Sequence, residues 1–340
     1  MEKTKERIRS LFGDKLFNFT AVVVIFLVMY LAITFNLLNG YKTGLVMLIL
    51  IMIVMSTSLN ISTGFLGQLV LGHAGFMAIG AYTAGLLGLL LRDHIQSDLL
   101  LFLVGCAGAM VFAGIAGFLV GFPALRLRGD YLGIMTLGFG EIVRAAITNF
   151  SGLTGGAQGL KVPRFMTFEM AFWTTVIVVI TIYLFMNSRH GRAILSIRED
   201  EIASESVGIN ITYYKMVGFI VASMFAGVGG AMFAYKEGFL APVSFNFLKS
   251  VEIFVIVVLG GMGSISGSII ASVFLVFLPE YLRDFNQFRY LLYSSLLIFV
   301  MLFRPKGLLG TREVSFVDMR NWITRTWRRL SKFFAARRKT

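Results

Sequence analysis

Apolar residues fill window after window of membrane-spanning length along this chain, and polar residues gather in the gaps between them. A helix needs ~20 apolar residues to cross a bilayer, and on that measure about ten crossings or partial crossings are predicted. They lie at 17–38, 42–62, 70–91, 99–121, 131–148, 168–186, 214–236, 250–263, 264–282 and 288–303. The expected fold is an all-α polytopic membrane protein with an N-terminal segment 1–16, a membrane domain 17–303 and a tail 304–340. Two of the crossings look broken. The run GFLGQLVLGHAGFMAIGAYTAGLLG, 64–88, carries glycines at 64, 67, 72, 75, 80, 85 and 88, and VVLGGMGSISG, 257–267, clusters four more. Backbone groups freed in lipid must be bonded within the protein, so such stretches either line a pathway or pack tightly against neighbouring helices.

One long polar interruption stands out: NSRHGRAILSIREDEIASESVGINITYYK, 187–215. Its charges balance, Arg189, Arg192, Arg198 and Lys215 against Glu199, Asp200, Glu201 and Glu205. Ser196 and Glu199 have capping-box spacing, the three acids from Glu199 suit a helix N-terminus, and Gly208 suits the left-handed position that closes a helix. A helix over 197–207 is therefore predicted. Its apolar Ile197, Ile202, Ala203 and Val207, with Ile209 after the cap, are expected to bury against the membrane domain or a partner, leaving the acidic face to solvent. Such an element is either a docking helix or an ordinary loop that contains a helix.

Composition agrees with the pattern: 57% of residues are hydrophobic and 14% charged, and the mean hydropathy is +0.80. These values lie outside the soluble globular range. The net charge of +13 sits in segments that flank apolar runs and in the tail, with no nucleic-acid motif beside it. With the N-terminus cytoplasmic, 1–15, the Arg126/Arg128 loop, the polar interruption and the tail all fall inside, as the positive-inside rule requires. N-in and C-in is the expected topology. The first apolar run exceeds a signal-peptide core and lacks a small-residue cleavage site, so it is expected to be retained. Residues 311–340 hold nine Lys/Arg against two acids, and Ile323, Trp327, Leu330 and Phe334 recur at helical spacing. The tail is either a helix lying against anionic lipid or a partly disordered basic extension. The single cysteine, Cys106, excludes a disulfide framework and reads as a small buried residue.

An enzyme reading has nothing to stand on. No GxxxxGK[ST] phosphate loop, HExxH or GxSxG occurs, and His73, His94 and His190 lie in separate segments. Ionisable groups within spans face a cavity or pair with one another. Glu141 and Arg144 are three apart on one helical face, so they either pair or meet a substrate. Glu252 opens a span near its outer end, where it is expected to be exposed at the interface. Gln68 and His73 sit within the first glycine-rich run, where hydrogen bonds to freed carbonyls or a place on a pathway account for them.

Five blocks, LNISTGFLGQLVLGHAGFMAIGAYTAGLL, FPALRLRGDYLGIMTLGFGEIVR, SRHGRAILSIREDEIASESVGINITYYKMVGFIVASMFAGVGGAMFAY, VVLGGMGSISGSIIASVFLVFLP and LFRPKGLLG, cover most of 58–310. In content and order they resemble the membrane-subunit family of branched-chain amino-acid ABC importers, in its M-type permease form. The resemblance implies a multi-pass permease of a bacterial or archaeal plasma membrane, paired with a second, similar permease and seated on two ATPase subunits. It implies an extracytoplasmic binding protein that delivers substrate. ATP and Mg would belong to the ATPases, with no cofactor or metal on this chain. Residues 191–209, within a cytoplasmic loop at 187–213, would form the ATPase-coupling segment, with Gly191, Arg192, Ser196, Arg198, Glu201, Ala203, Gly208 and Ile209 as its candidate residues. In the importers' E-A-A-x-x-x-G pattern Gly208 matches the glycine, but Ile202, Ala203 and Ser204 occupy the E-A-A places and Glu201 is displaced by one. Gln68, His73, Glu141, Arg144 and Glu252 are the substrate-pathway candidates. Permeases for urea or short-chain amides share these blocks, and an ion-gradient-driven transporter would also use broken helices. A non-transporting scaffold is the remaining class.

Overall fold

The computed structural model describes Thr20, residues 22–35, 37–125, 129–283, 288–304, 307–310 and Glu313. The expected N-terminal segment 1–16, the Arg126/Arg128 loop and the tail residues Ile323, Trp327, Leu330 and Phe334 lie outside the described residues. The chain forms two units, residues 1–40 with 312–340, and residues 41–311. In the first, Val22–Thr34 is a short apolar helix, α1.

The remaining helices run in order as α2 (Gly40–Asn60), α3 (His73–Leu91), α4 (Asp98–Ala124), α5 (Asp130–Asn149) and α6 (Ser151–Thr154). They continue as α7 (Phe168–Asn187), α8 (Arg189–Glu199), α9 (Glu201–Ser206), α10 (Ile211–Glu237), α11 (Phe247–Gly260), α12 (Ile265–Tyr281) and α13 (Arg289–Phe303). Among the described residues, six segments are long and apolar enough to cross a membrane: Gly40–Phe65, His73–Leu91, Asp98–Ala124, Asp130–Asn149, Phe168–Asn187 and Ile211–Glu237. The expected crossings at 250–263 and 264–282 are the 14- and 17-residue helices α11 and α12. Each is shorter than the ~20 residues a full crossing needs. Among the described residues the strand pairing is one short ladder: Leu160–Lys161 (β1) pairs antiparallel with Phe239–Leu240 (β2), Leu160 opposite Leu240.

Small residues build the core. Lipid tails are as apolar as leucine, so helices in a membrane associate by close packing, and glycine lets backbones approach. A Cβ on Gly80 of α3 would overlap the backbone of Gly227 in α10, and one on Gly227 would overlap Ala109 O in α4. Gly105 of α4 makes room for the Tyr235 ring, whose hydroxyl donates to Ala84 O at 2.7 Å. Helices α3, α4 and α10 thus form one tightly packed trio. Into it runs the second half of α2, buried from Leu50 to Asn60. Cys106 is free and buried, as expected. Leu103, Phe112 and Leu119 of α4 and Ile177 and Leu184 of α7 stay exposed, the state expected of side chains that meet lipid.

The packing also corrects the extent of the first break. The run 64–88 is not broken throughout: α2 ends in a π-turn, Ile61–Phe65, residues 66–72 are non-helical, and α3 is continuous from His73. Gly75, Gly80, Gly85 and Gly88 are packing glycines inside α3, set against Gly140, Gly227, Val162 and Tyr235. The packing reading therefore holds for the second half of the run, and the break itself is confined to residues 61–72. The second break is narrower, 261–264, where Gly261 and Gly263 take φ of 116° and 86°.

Candidate functional site

Several backbone groups freed by the two breaks are bonded inside the protein. In the first, Leu66 N donates to Ile61 O at 3.0 Å, which is the π-turn bond, and Gln68 N donates to Ser62 O at 3.0 Å. Leu71 N donates to Thr136 Oγ1 of α5 at 3.1 Å, and Ala74 N to Ser250 Oγ of α11 at 3.0 Å. In the second, Gly263 N donates to Asn60 Oδ1 at 2.9 Å, while Asn60 Nδ2 donates to Ser264 O at 2.9 Å and to Ser268 Oγ at 3.0 Å. Asn60 is fully buried and joins the end of α2 to the start of α12. Residues 307–310 close over the same point, with Leu308 N on Leu259 O at 2.7 Å. Sequence reasoning missed Asn60. The signal was present, since an amide inside an apolar run is costly unless it has fixed partners.

The polar loop meets this junction. Helix α8 starts earlier than predicted, at Arg189, capped by Ser188 Oγ, which accepts from Gly191 N at 3.4 Å. Ser196 is therefore not an N-cap but lies inside α8, its hydroxyl donating to Ala193 O at 2.9 Å. The cap of the second helix, α9, is Asp200, whose Oδ1 accepts from Ile202 N at 2.9 Å and Ala203 N at 3.0 Å. A carboxylate caps at least as well as a serine and adds a charge favoured by the helix dipole. The predicted single helix over 197–207 is thus two, broken at Asp200. Gly208 closes the second as expected: its φ is 87°, Ile209 N donates to Ser204 O at 3.1 Å and Gly208 N to Glu205 O at 2.9 Å, a Schellman closure.

Other loop residues divide between inner and outer faces. Gly191 has no room for a side chain, since a Cβ there would overlap the Met186 backbone at the α7–α8 corner. Arg192 Nη1 donates to Asn187 O at 2.9 Å. Ile197 is buried, while Glu201 pairs with the largely buried Lys215 of α10 at 2.5 Å. Arg198 turns inward: its Nη1 donates to Gly64 O in the π-turn at 3.0 Å. The expectation that solvent would see only an acidic face is overturned for three residues, because Ile202 is 82% and Val207 75% exposed and Ala203 is exposed too. A six-residue helix has too few faces to bury them while Ser204 and the Glu201–Lys215 pair hold its inner side.

The pathway candidates do not all gather in one place. Glu141 and Arg144 pair as expected, Arg144 Nε donating to Glu141 Oε2 at 2.8 Å, with 34% and 40% of their side chains exposed. Glu141 lies in a narrow crevice with Gly72, Gly75, Asn246 and Ser250. His73, 1% exposed, starts α3 and has Nε2 2.8 Å from Ser58 Oγ. Gln68 lines a cavity of about 630 Å³ with Gly67, Asp130, Glu201, Glu205 and Lys215, on the α9 side of the break. Its Oε1 is buried with no hydrogen-bond partner among the described residues. Glu252 takes a hydrogen bond from Lys249 at 2.9 Å, a partner that sequence reasoning missed although it lies three residues away. Among the described residues no cluster of metal-ligating side chains occurs.

A buried polar knot between helix ends, reached by a charged loop, belongs to the multi-pass helical membrane proteins built on discontinuous helices. Residues 40–304 match the family described as "Branched-chain amino acid transport system / permease component". The chain is 38% identical over 322 residues to the high-affinity branched-chain amino acid transport system permease protein LivM of Escherichia coli (strain K12), covering 84% of this chain and 74% of that protein. It is 25% identical over 275 residues to the corresponding permease protein LivH of the same strain, covering 74% of this chain and 88% of LivH. Among solved structures, PsaBC from Streptococcus pneumoniae in complex with Fab is similar with a TM-score of 0.43 and 15% identity, covering 78% of this chain and 91% of that one. The chain belongs to the branched-chain amino-acid ABC permease family.

Proposed function

We propose that this chain is the membrane-spanning permease subunit of an ATP-driven importer, moving branched-chain amino acids by alternating access with a second, similar permease. In this reading both termini are cytoplasmic, so the polar loop faces the ATPases. Two ATPase subunits carry ATP and Mg, and an extracytoplasmic protein delivers substrate. The chain makes and breaks no bond in the substrate. The observation that carries the reading is α9: a short helix closed at both ends by capping chemistry, holding Ile202 and Val207 out into solvent. Exposed apolar residues on so small and ordered an element suit a docking contact, in which a partner covers them. Gly191, Arg192, Ser196, Arg198, Glu201, Ala203, Gly208 and Ile209 then shape and hold the element. Similarity to both LivM and LivH supports a partnership of two related permeases.

Helix α5 supports the pathway side. Its Glu141–Arg144 pair is partly open on a face that this chain leaves uncovered, and a Cβ on Gly138 of the same helix would meet nothing within 4 Å. Charged groups in a span avoid lipid and face protein or water. This face therefore meets the second permease across the pathway, with Gln68 and His73 at the first helix break and Glu252 within α11.

The test is to purify the permease with its co-purifying subunits and measure ATP hydrolysis with the loaded binding protein. Leucine, isoleucine and valine are expected to stimulate it. Stimulation by urea or short amides alone would reassign the substrate, and uptake on an ion gradient without ATP would remove the ABC mechanism.

A further inference from the structure

We infer that Arg198 is the positioning residue through which movement of α9 reaches both helix breaks, an inference that rests on the reading of this loop as the ATPase-coupling segment. Arg198 lies two residues before Asp200, the cap of α9, and its guanidinium occupies a slot between the two breaks. Its Nη1 donates to Gly64 O at 3.0 Å, within the π-turn. A Cβ on Gly67 would stand 2.9 Å from Arg198 Cγ, and one on Gly263 would stand 2.8 Å from Nη1. Those glycines have φ of 74° and 86°, so each makes a left-handed turn and also leaves space for the arginine.

The guanidinium is fixed as well as inserted. Its Nε and Nη2 donate to Glu199 Oε1 at 3.2 and 2.6 Å, and a planar fork held at two nitrogens aims the third. Helix α9 does not press on the first break across its whole length, because the cavity of about 630 Å³ lies between Gly67 and Gln68 on one side and Glu201 and Ile202 on the other. Force from α9 therefore reaches the first break at the α8–α9 joint, while the Glu201–Lys215 pair ties α9 to α10. Asn60 then couples the two breaks, since its side chain bonds Gly263 and Ser264 from the residue that precedes the π-turn. The π-turn is the element suited to change, because its one-residue excess over an α-turn can be taken up or released.

The plain alternative is that Arg198 only satisfies a freed carbonyl. That role predicts lost stability, whereas a transmitting role predicts lost coupling, so the deciding quantity is amino acid taken up per ATP hydrolysed. Wild type, Arg198→Ala, Arg198→Lys and Arg189→Ala are compared as assembled transporters in proteoliposomes with the binding protein and leucine. Arg198→Ala is expected to keep the ATPase subunits and ligand-stimulated hydrolysis while uptake per ATP falls about tenfold, the factor that loss of a charged hydrogen bond carries. Arg198→Lys keeps one donor for Gly64 O and loses the fork, so its ratio is expected to fall less, with an unchanged Tm. Arg189→Ala, an exposed charge on the same helix, is expected to leave the ratio unchanged. An unchanged ratio in Arg198→Ala overturns the inference, and so does a parallel fall of uptake, hydrolysis and Tm. Should Arg198→Ala fail to assemble, Arg198→Lys decides in the same way: a lowered ratio at normal Tm supports the role and an unchanged ratio overturns it. Failure of the wild-type chain to recruit ATPases is seen before any variant is compared, and it removes the coupling reading together with this inference.

Discussion

Replacing Asn60 with alanine removes the side chain that ties the end of α2 to the second break and the start of α12. Three hydrogen bonds go, but their losses are unequal. Ser264 O keeps bonds from Ser268 N at 3.2 Å and Ser268 Oγ at 3.1 Å, so it remains satisfied. Gly263 N loses its only bond recorded among the described residues, and it is held in a buried turn with φ of 86°. A buried donor left alone costs about 1–3 kcal/mol, and each of the two bonds from Nδ2 is worth about 0.6 kcal/mol on the membrane-protein average. The expected destabilisation of Asn60→Ala is therefore about 2–4 kcal/mol. Unfolding of the purified chain by sodium dodecyl sulfate titration in mixed micelles measures it. Thr181→Ala is the control, because that exposed hydroxyl bonds only Ile177 O of its own helix, at 2.7 Å; it is expected to stay within about 0.5 kcal/mol of wild type. If Asn60→Ala also stays within about 0.5 kcal/mol, the reasoning that the breaks are held together by this amide is wrong.

Glycines that look alike in sequence are expected to respond in opposite ways. Gly227→Val, which would press on Ala109 O and Ala113, should lower stability by about 3 kcal/mol, whereas Gly138→Ala, with nothing within 4 Å, should gain about 0.5–1 kcal/mol; thermal unfolding followed by size-exclusion reads both, and equal effects would contradict the packing described. Gly208→Val forces a β-branched residue to φ of 87° at a cost of about 1–2 kcal/mol; ATP-coupled uptake should fall while membrane insertion is normal, and unchanged uptake would remove the closure of α9 from the mechanism. Exchanging the charges, Glu141→Arg with Arg144→Glu, keeps an ion pair at the same spacing and should restore the stability lost in either single variant. Uptake of a zwitterionic substrate should not return, because the field on the open face of α5 is reversed; recovered uptake would reduce the pair to a structural role.

Much of the membrane domain is legible from local properties. Predicted crossings at 42–62, 99–121, 131–148 and 168–186 fall within a few residues of α2, α4, α5 and α7, because the free energy of moving apolar side chains into lipid is set residue by residue. The ends follow from capping within one turn, as Ser97 does for α4 and Thr167 for α7. Glu141 with Arg144, and Gly208 as a left-handed closure, were readable for the same reason: each needs only neighbours three or four residues away. Where capping residues compete within a few positions, that legibility stops, and Asp200 displaced Ser196 once α8 had begun upstream at Ser188.

Other features depend on partners far along the chain. Asn60 and Ser264 are 204 residues apart, so no local pattern marks the amide as a joint between two helix breaks. Gly72 and Gly80 are one residue type in one apolar run, yet one belongs to the first break, tight against Thr136 O, and the other seats α10 inside a continuous helix. A glycine has no side chain with which to announce its neighbour; only the backbone that fills the vacated space distinguishes a break from a packing contact. Likewise Ile197 and Ile202 are equally apolar, and the turn at Asp200 sends one inward and holds the other out to solvent. Apolar periodicity and local spacing were enough to place several spans and the Gly208 closure; the convergence of both breaks on Asn60 and Arg198 arises only when the folded chain brings those distant segments within hydrogen-bonding distance.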